Sequence, residues 1–217
     1  MTASVRTLAF RLVNAYLLES ETGFVLIDTG FRTDRSRLYK ELVAAGCLPG
    51  DLKLIVITHG DPDHSANAAH LRATYGAKIA MHRAEAPAVE RGDMFLSRGS
   101  MSFSRRLLKP LMSLFGLRKR DRFAPDVFLD DGDALADYGL NASVLHVPGH
   151  SVGSIAVLTV EGALFSGDFF ENRSHPSIAT FVDDALALKA GYERVKDMRI
   201  HTVYPGHGKP FALNEIA

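Results

Sequence analysis

The pattern of apolar and polar positions predicts short strands that alternate with a few helices. Leu52 to Thr58 is a continuous apolar run rich in β-branched residues, which is typical of a buried central strand. Other predicted strands cover residues 8–19, 23–28, 78–82, 143–147, 154–160, 163–166 and 202–204. Helical spacing of apolar residues covers 34–45, 65–75 and 183–198. The chain is therefore predicted to be a mixed α/β protein.

Composition is that of a globular domain with a substantial core. The chain has 217 residues, of which 47% are hydrophobic and 23% charged. Twenty-five basic residues balance 25 acidic ones, so no net field favours nucleic acid or an acidic membrane. The single cysteine, Cys47, excludes an intramolecular disulfide framework. Because neither a signal peptide nor a membrane-spanning run is evident, we expect a cytoplasmic protein without membrane insertion.

The segment 98–122 differs from the rest of the chain. It holds eight basic residues and one acidic residue, Asp121, interleaved with apolar side chains. Pro110 and Gly116 would break or kink a helix there. Four interpretations remain open: a lid over a site, a membrane-surface helix, a contact in a homodimer, or an amphipathic helix whose charges face water.

The main candidate for chemistry directly follows the predicted central strand. Thr58-His59-Gly60-Asp61-Pro62-Asp63-His64 places four potential metal ligands, two imidazoles and two carboxylates, within six residues. These groups are the ligand types that hold Zn, Fe or Mn. So many titratable groups beside a buried strand are costly unless a cation or mutual hydrogen bonds satisfy them. The motif therefore indicates a metal site.

Three later fragments have the same character. His150 follows Pro148-Gly149 after a predicted strand, Asp168 follows Gly167 at the end of another, and His207 lies between two glycines after a third. Each side chain is placed at a strand end, where glycine lets the backbone approach a ligand. Together with the first motif they supply four His and three Asp, enough for two adjacent metal ions.

The order of these motifs resembles the metallo-β-lactamase superfamily. The hallmark of that family is His-x-His-x-Asp-His followed by a distant His, a bridging Asp and a final His. Here the similarity runs from the Asp28-Thr29-Gly30 turn to His207, nearly the whole chain. The resemblance implies an α/β fold, a four-layer αββα sandwich in a single domain. Its two similar halves would cover about 1–124 and 125–217.

The resemblance also implies two metal positions that share one bridging carboxylate. The implied ligands are His59, Asp61 and His150 for the first position, Asp63, His64 and His207 for the second, and Asp168 as the bridge.

Three further roles follow from the same resemblance. Asp63 would be catalytic, because it could orient the attacking hydroxide or pass a proton to the leaving group. Asp28 would support the ligands from a second shell. His175, in the loop after the bridging aspartate, would contact substrate.

Asp61 departs from the family pattern, which has His at this position. A carboxylate adds a negative charge that a neutral imidazole lacks, so we expect a harder site with a less acidic bound water. Two divalent ions are implied, with Zn expected first and Fe or Mn as alternatives. A carboxylate at this position also occurs in the flavodiiron branch, where Glu helps to hold a di-iron centre.

The resemblance implies a metal-dependent hydrolase that uses a metal-bound hydroxide. Its substrate would be a small-molecule ester, thioester, lactone or phosphodiester. A true β-lactamase is not expected, because those enzymes generally lack an aspartate at the Asp168 position. Two alternatives stay open: a di-iron redox protein resembling the flavodiiron core, and a non-catalytic metal-binding descendant.

Overall fold

The computed structural model describes residues 4–98 and 116–216. The interpretations of the 98–122 segment as a lid, a membrane-surface helix, an amphipathic helix or a dimer contact therefore fall largely outside the described residues. Within the described part of the chain, no helix combines the length and the apolar character needed to cross a membrane.

The first sheet has six strands in sequential order. They are β1 (Val5–Ala9), β2 (Asn14–Ser20), β3 (Gly23–Ile27), β4 (Leu52–Val56), β5 (Lys78–Met81) and β6 (Val127–Phe128). The first three strands are antiparallel, whereas β3 to β6 run parallel to one another. The segments that follow β3 and β4 therefore leave the sheet at the same edge.

The second sheet has the order β12-β11-β9-β8-β7, with β10 paired to β9. Its strands are β7 (Ala142–His146), β8 (Ile155–Thr159), β9 (Ala163–Asn172), β10 (Ser177–Ile178), β11 (Thr202–Gly208) and β12 (Phe211–Ala212). Strands β9 and β11 are parallel neighbours, so Asp168 and His207 lie on adjacent strands; in the register His207 pairs with Glu171.

Five α-helices accompany the sheets in the described residues. They are α1 (Arg35–Ala44), α2 (Pro62–Ser65), α3 (Ala68–Tyr75), α4 (Ala86–Arg91) and α5 (Ala185–Val195). Asp184 caps α5, since its carboxylate accepts hydrogen bonds from the amides of Leu186 and Ala187.

The core is divided into three apolar layers, which together define a four-layer αββα sandwich. Successive residues of β4 point to opposite faces: Ile55 packs with the α1 and α3 side chains, whereas Leu54 and Val56 face the second sheet. A third layer, including Leu164 and Leu188, joins the second sheet to α5. A strand buried on both faces explains the continuous apolar run seen in the sequence.

Several predicted elements have different bounds in the structure. The single strand predicted over 8–19 is wrong, because the chain turns between Ala9 and Asn14 and forms two antiparallel strands. The helix predicted over 65–75 corresponds to α3, which begins at Ala68, and a separate short helix, α2, ends at Ser65. Strands β9 and β11 extend beyond the predicted 163–166 and 202–204, through the Gly-containing motifs.

The division into halves at 124–125 stays a prediction. β6 lies beyond that point in sequence, yet it pairs with β5 of the first sheet. The second sheet begins with β7 at Ala142.

Hydrogen bonds between the two sheets hold β11 in place. The Asn14 amide donates to the carbonyl oxygens of Pro205 at 3.1 Å and Gly208 at 2.7 Å, and the Tyr16 hydroxyl donates to Pro205 at 2.6 Å. Burial raises the pKa of Tyr16, which keeps its hydroxyl protonated as a donor. These contacts fix the strand that carries His207 against the first sheet.

Replacing Phe165 by Ala is expected to destabilise the fold by about 3–5 kcal/mol. The ring is fully buried between the sheets, 5.3 Å from the Tyr16 ring and 4.8 Å from the Tyr204 ring. Urea unfolding should show a lower midpoint with an unchanged slope. Val160→Ala, at a side chain 57% exposed, is the control and should shift the free energy of unfolding by less than about 0.5 kcal/mol. Equal shifts for the two variants would contradict the assigned core.

Candidate metal centre

The His59–His64 motif begins in the loop after β4 and continues into α2, which contains Asp63 and His64. Asp61 stands at the N-cap of α2, where its carbonyl oxygen accepts hydrogen bonds from the amides of His64 and Ser65. Pro62 takes the first helical position, where a missing N–H is harmless and the fixed φ suits the helix. A buried strand followed by a short, proline-started helix therefore gives the motif a defined backbone.

The first cluster consists of His59, Asp61 and His150. Asp61 Oδ2 lies 3.6 Å from His59 Nε2 and 3.3 Å from His150 Nε2. Tetrahedral ligands with bonds of roughly 2.0–2.1 Å stand about 3.3–3.4 Å apart, so this spacing suits a metal ion.

The second cluster consists of Asp63, His64 and His207. Asp63 Oδ2 lies 3.5 Å from His64 Nε2 and 3.4 Å from His207 Nε2. Asp168 faces both clusters: its Oδ1 is 3.2 Å from His64 Nε2, and its Oδ2 is 3.2 Å from His207 Nε2 and 3.9 Å from His150 Nε2. The structure therefore brings all seven predicted ligands together, with Asp168 between the clusters.

Unpartnered polar atoms support metal binding here. Five buried side-chain nitrogen or oxygen atoms in the described residues have no hydrogen-bond partner, and four of them lie in these clusters. They are His59 Nε2, Asp61 Oδ1, His64 Nε2 and Asp168 Oδ1. Buried polar atoms without partners are rare and costly, whereas a cation would satisfy these donor groups directly. The residues present therefore fit divalent metal ions.

The other ring nitrogen of each histidine has a partner outside the clusters. His150 Nδ1 lies 2.8 Å from the Phe181 carbonyl oxygen, and His207 Nδ1 lies 2.5 Å from the Leu12 carbonyl oxygen. His59 Nδ1 is 3.1 Å from the Thr58 hydroxyl. A hydrogen bond at Nδ1 fixes the ring and leaves Nε2 facing inward, as ligating histidines require.

Asp28 supports the centre from behind His64. Its Oδ2 lies 2.8 Å from His64 Nδ1, and its Oδ1 accepts a hydrogen bond from the Thr58 amide at 2.9 Å. Asp28 has a positive φ of 58°, a conformation that aspartate tolerates better than most residues. This geometry matches the supporting role expected for Asp28, and the role itself stays a prediction.

Glu85 braces the two loops of the first cluster. It is fully buried, and its Oε2 accepts a hydrogen bond from the Gly60 amide at 2.8 Å. Its Oε1 accepts from the Ser151 hydroxyl at 2.7 Å and the Gly153 amide at 2.9 Å. One carboxylate thus joins the loop of His59 and Asp61 to the loop of His150.

Arg98 enters the first cluster directly. Its guanidinium pairs closely with Asp61 Oδ2 and donates to the His150 carbonyl oxygen at 2.6 Å. It also lies 3.4 Å from Asp183 Oδ2 and 5.6 Å from the centre of the Phe181 ring. The extra negative charge expected at Asp61 is therefore offset by a buried cation.

The carboxylates of the centre are held ionised. Burial opposes ionisation, but Arg98 and the neighbouring imidazoles keep the pKa of Asp61 well below its usual range. Burial also opposes the ionisation of Asp63 and Asp168, but His64 and His207 lower the pKa of both carboxyl groups. The centre therefore carries several negative charges that attract cations.

The histidines show the opposite shift. Burial disfavours their charged forms, yet Asp63 and Asp168 raise the pKa of His64 well above its usual range. The same carboxylates raise the pKa of His207 to about 9 against the effect of burial. The pKa of His150 is also raised, by Asp61 and Asp168. Protons on these imidazoles therefore balance the negative charge of the carboxylates, and bound metal ions would balance the same charge.

A glycine lets β11 approach the centre. A Cβ on Gly206 would lie 2.7 Å from His64 Cε1 and would overlap Asp168 Oδ1. The Pro-Gly-His motif therefore has a steric reason: only glycine lets the strand pass between two ligand side chains.

His175 is placed apart from this arrangement. Its side chain is exposed, and its Nδ1 lies 3.0 Å from the Ser174 hydroxyl. Neither cluster includes it, and its predicted contact with substrate stays a prediction.

Sequence reasoning missed Glu85 and placed Arg98 only within a basic run. The carboxylate at position 61 indicates a need for a counter-charge, but nothing in the sequence identifies the residue that supplies it.

The family model of the metallo-beta-lactamase superfamily matches residues 8–207. The chain therefore belongs to this superfamily, whose members bind divalent metals, and His/Asp clusters are present in its structure. Two similar curated proteins are named as hydrolases. The acyl-coenzyme A thioesterase MBLAC2 of Bos taurus is 30% identical over 224 residues, covering 94% of this chain and 75% of the relative. Hydroxyacylglutathione hydrolase GloC of Haemophilus influenzae is 29% identical over 162 residues, covering 74% and 67%.

Solved structures support the fold. TTHA1623, solved in a di-iron-bound form, superimposes with a TM-score of 0.72 at 28% identity, covering 97% of this chain and 95% of that one. The B3 metallo-beta-lactamase BLEG-1 gives a TM-score of 0.76 at 22% identity, covering 98% and 95%. The predicted four-layer α/β sandwich is therefore confirmed.

Glu85→Gln is expected to destabilise the protein by about 1–3 kcal/mol, because an amide NH₂ would face one of the buried donors. Metal affinity at the first cluster should fall roughly 10- to 100-fold, as for other residues that orient ligands. Urea unfolding and competition with a chromophoric chelator measure the two effects. Glu90→Gln, on the exposed side of α4, is the matched control. Identical behaviour of the two variants would show that Glu85 does not brace the loops.

Proposed function

We propose that this protein is a binuclear metallo-hydrolase that cleaves thioesters of small molecules. The observation that carries the proposal is the pair of His/Asp clusters with one carboxylate, Asp168, facing both. His59, Asp61 and His150 would hold one ion, and Asp63, His64 and His207 the other. Zn is the first expectation, and Fe or Mn are the alternatives.

Bound divalent ions would acidify a water molecule and polarise the substrate carbonyl. The protein contributes the orientation of the ligands, through Asp28, Glu85 and the carbonyl groups that receive the histidine Nδ1 atoms. Ligands fixed in this way avoid reorganisation when charge develops on the substrate.

Asp63 is the residue best placed to move a proton. Its side chain is 19% exposed, compared with 13% for Asp168 and 9% for Asp61. Its carboxylate can accept a proton from the attacking water. Returning that proton to the departing thiolate completes the transfer. This is the catalytic role proposed for Asp63.

The substrate class is supported by the relatives. One is named as an acyl-coenzyme A thioesterase, and the other as a hydrolase of hydroxyacylglutathione, which is also an acylated thiol. Thiolates leave readily, so a thioester places a modest demand on proton transfer to the leaving group. Esters, lactones and phosphodiesters are the competing substrate classes.

Two cavities border the ligand-bearing loops. One, of about 340 Å³, is lined by Phe31, Arg32, Pro62 and Arg118, among others. Because Pro62 lies between Asp61 and Asp63 in sequence, this cavity adjoins the metal-binding loop. The other, of about 570 Å³, is lined in part by Pro148, Gly149 and Ser151, which flank His150. Both volumes suit small-molecule ligands. We further propose that the substrate is a small molecule and that the protein has no nucleic-acid partner. We also propose that it is cytoplasmic and forms a homodimer.

A di-iron redox protein is the second candidate. TTHA1623 was solved in a di-iron-bound form, and Asp61 supplies an additional carboxylate, a ligand type that suits iron. Such a protein would need an electron donor and would consume oxygen or nitric oxide, whereas the hydrolase needs only water.

Purified protein is expected to hold about two divalent ions per chain, because the clusters offer two complete ligand sets. Asp168→Asn, which removes the negative charge between them, should lose at least one ion and most hydrolytic activity. Elemental analysis and thioester turnover after chelation and reconstitution test this. Asp137→Asn, on a short helical turn outside the clusters, is the control. Full activity in fully metal-free protein would refute the proposal, and metal binding without any turnover would favour the non-catalytic reading.

A substrate panel distinguishes the reaction classes. Acyl-coenzyme A and S-acylglutathione thioesters should give kcat/KM at least about tenfold above oxygen esters, lactones and phosphodiesters of matched size, because a thiolate departs readily without strong proton transfer. The assay follows released thiol with a chromogenic reagent. Faster hydrolysis of another class would move the proposal to that class. Two irons per chain with reductant-dependent oxygen consumption and no hydrolysis would favour the redox candidate.

A further inference from the structure

We propose that Arg98 and Asp61 act as one unit that sets the metal affinity of the first cluster, replacing a neutral ligand by a charge-balanced pair. The inference rests on the proposed metal centre and adds a residue to it. Arg98 itself acts through Asp61 and binds no metal, so it is a positioning residue.

The first step is the placement of the guanidinium. The Arg98 side chain is 3% exposed, which is unusual for arginine, and it lies beside ligand atoms of the centre. It pairs with Asp61 Oδ2, donates to the His150 carbonyl oxygen, and brings one terminal nitrogen within 3.5 Å of His150 Nε2. Asp183, 3.4 Å away, provides a second carboxylate. Arg98 is therefore held from several sides.

The second step concerns the ligand oxygen. Asp61 Oδ2 is the oxygen with metal-ligand spacing to His59 and His150, and the same oxygen receives the Arg98 donor. A carboxylate oxygen can serve both partners, because it has two lone pairs. The guanidinium nevertheless withdraws negative charge from the metal, so Asp61 becomes a weaker ligand than a free carboxylate.

The third step is the charge of the cluster. Asp183, which pairs with Arg98, is the same in every variant and is left out of the comparison. Two neutral imidazoles, Asp61 and Arg98 then sum to zero, the same as three neutral imidazoles. The Asp61 carboxylate alone would leave one negative charge, and a histidine beside Arg98 would leave one positive charge. Since a unit charge about 4 Å from a metal ion interacts strongly with it at the reduced effective dielectric of a buried site, either imbalance should change metal affinity.

The charge balance therefore predicts an order of metal affinity at the first cluster for wild type and three variants. Arg98→Met should bind most tightly, wild type and the Asp61→His/Arg98→Met double variant should be similar, and Asp61→His should bind most weakly. Each single variant should differ from wild type by at least about tenfold, in opposite directions. Asp61→His restores the usual family motif, yet it should weaken binding, because the Arg98 guanidinium would then lie beside the metal position with only Asp183 as a carboxylate partner.

The test titrates metal-free protein with Zn²⁺ against a chromophoric chelator and measures metal content after dialysis. Arg83→Met is the matched control, because Arg83 pairs with Asp130 at 3.0 Å on the exposed surface; both binding steps should stay unchanged. Thermal unfolding with and without Zn²⁺ gives a second readout. Arg98→Met should be destabilised without metal, where Asp61 loses its partner, and should gain more than wild type on metal addition.

The outcomes separate this inference from the proposed function. Tight binding of two ions by Asp61→His, or loss of the first-cluster ion in Arg98→Met, would overturn the role of Arg98 and leave the metallo-hydrolase proposal intact. Failure of wild type to bind Zn²⁺ would instead overturn the metal centre itself. If Arg98→Met does not fold, the comparison of Asp61→His with the double variant decides, since recovery of affinity in the double variant requires coupling between the two positions.

Discussion

The concentration of ionisable groups at one edge of the sandwich is the constraint on which the rest of the structure depends. Four aspartates and four histidines lie within a few ångströms of one another, most of them buried. Burial of charge is expensive unless partners are supplied with good geometry. Here the carboxylates and imidazoles supply partners for one another, and the atoms left over converge where cations would bind.

The fold meets this constraint by taking the ligands from strand ends and strand edges in both sheets. The parallel strands β3 and β4 deliver Asp28 and the His59–His64 motif to a common edge. The parallel pair β9 and β11 delivers Asp168 and His207. Asn14 and Tyr16 of the first sheet donate hydrogen bonds to β11 of the second. The relative position of the two sheets therefore determines the geometry of the metal centre.

Arg98 changes the interpretation of the departure at position 61. Considered alone, an aspartate in place of histidine suggests a more negative, harder metal site. With the guanidinium in place, the Asp61–Arg98 pair is neutral overall, as an imidazole would be, while the ligand atom becomes an oxygen. A two-residue exchange preserves net charge where a single substitution would not. This makes the variation compatible with the hydrolytic members of the family as well as with iron-binding ones.

The sequence by itself determined the fold class and the set of candidate ligands. A central strand buried on both faces leaves a continuous apolar run, and a metal loop leaves His and Asp at short, fixed spacing; both are local patterns, so they can be read without coordinates. The turn that separates β1 from β2 and the break between α2 and α3 were missed, because Phe10-Arg11-Leu12-Val13 and Ala66-Asn67 contain no glycine or proline to mark a turn.

Only the tertiary structure decided which distant groups complete the centre. Glu85 lies 25 residues from Gly60 and 66 from Ser151, and Arg98 lies 37 residues from Asp61. No local spacing connects these positions, because they meet through the packing of separate loops against the sheet edge. In the sequence, the buried Glu85 and Arg98 cannot be distinguished from charged residues on the surface. Their environment, rather than their residue type, makes them part of the site.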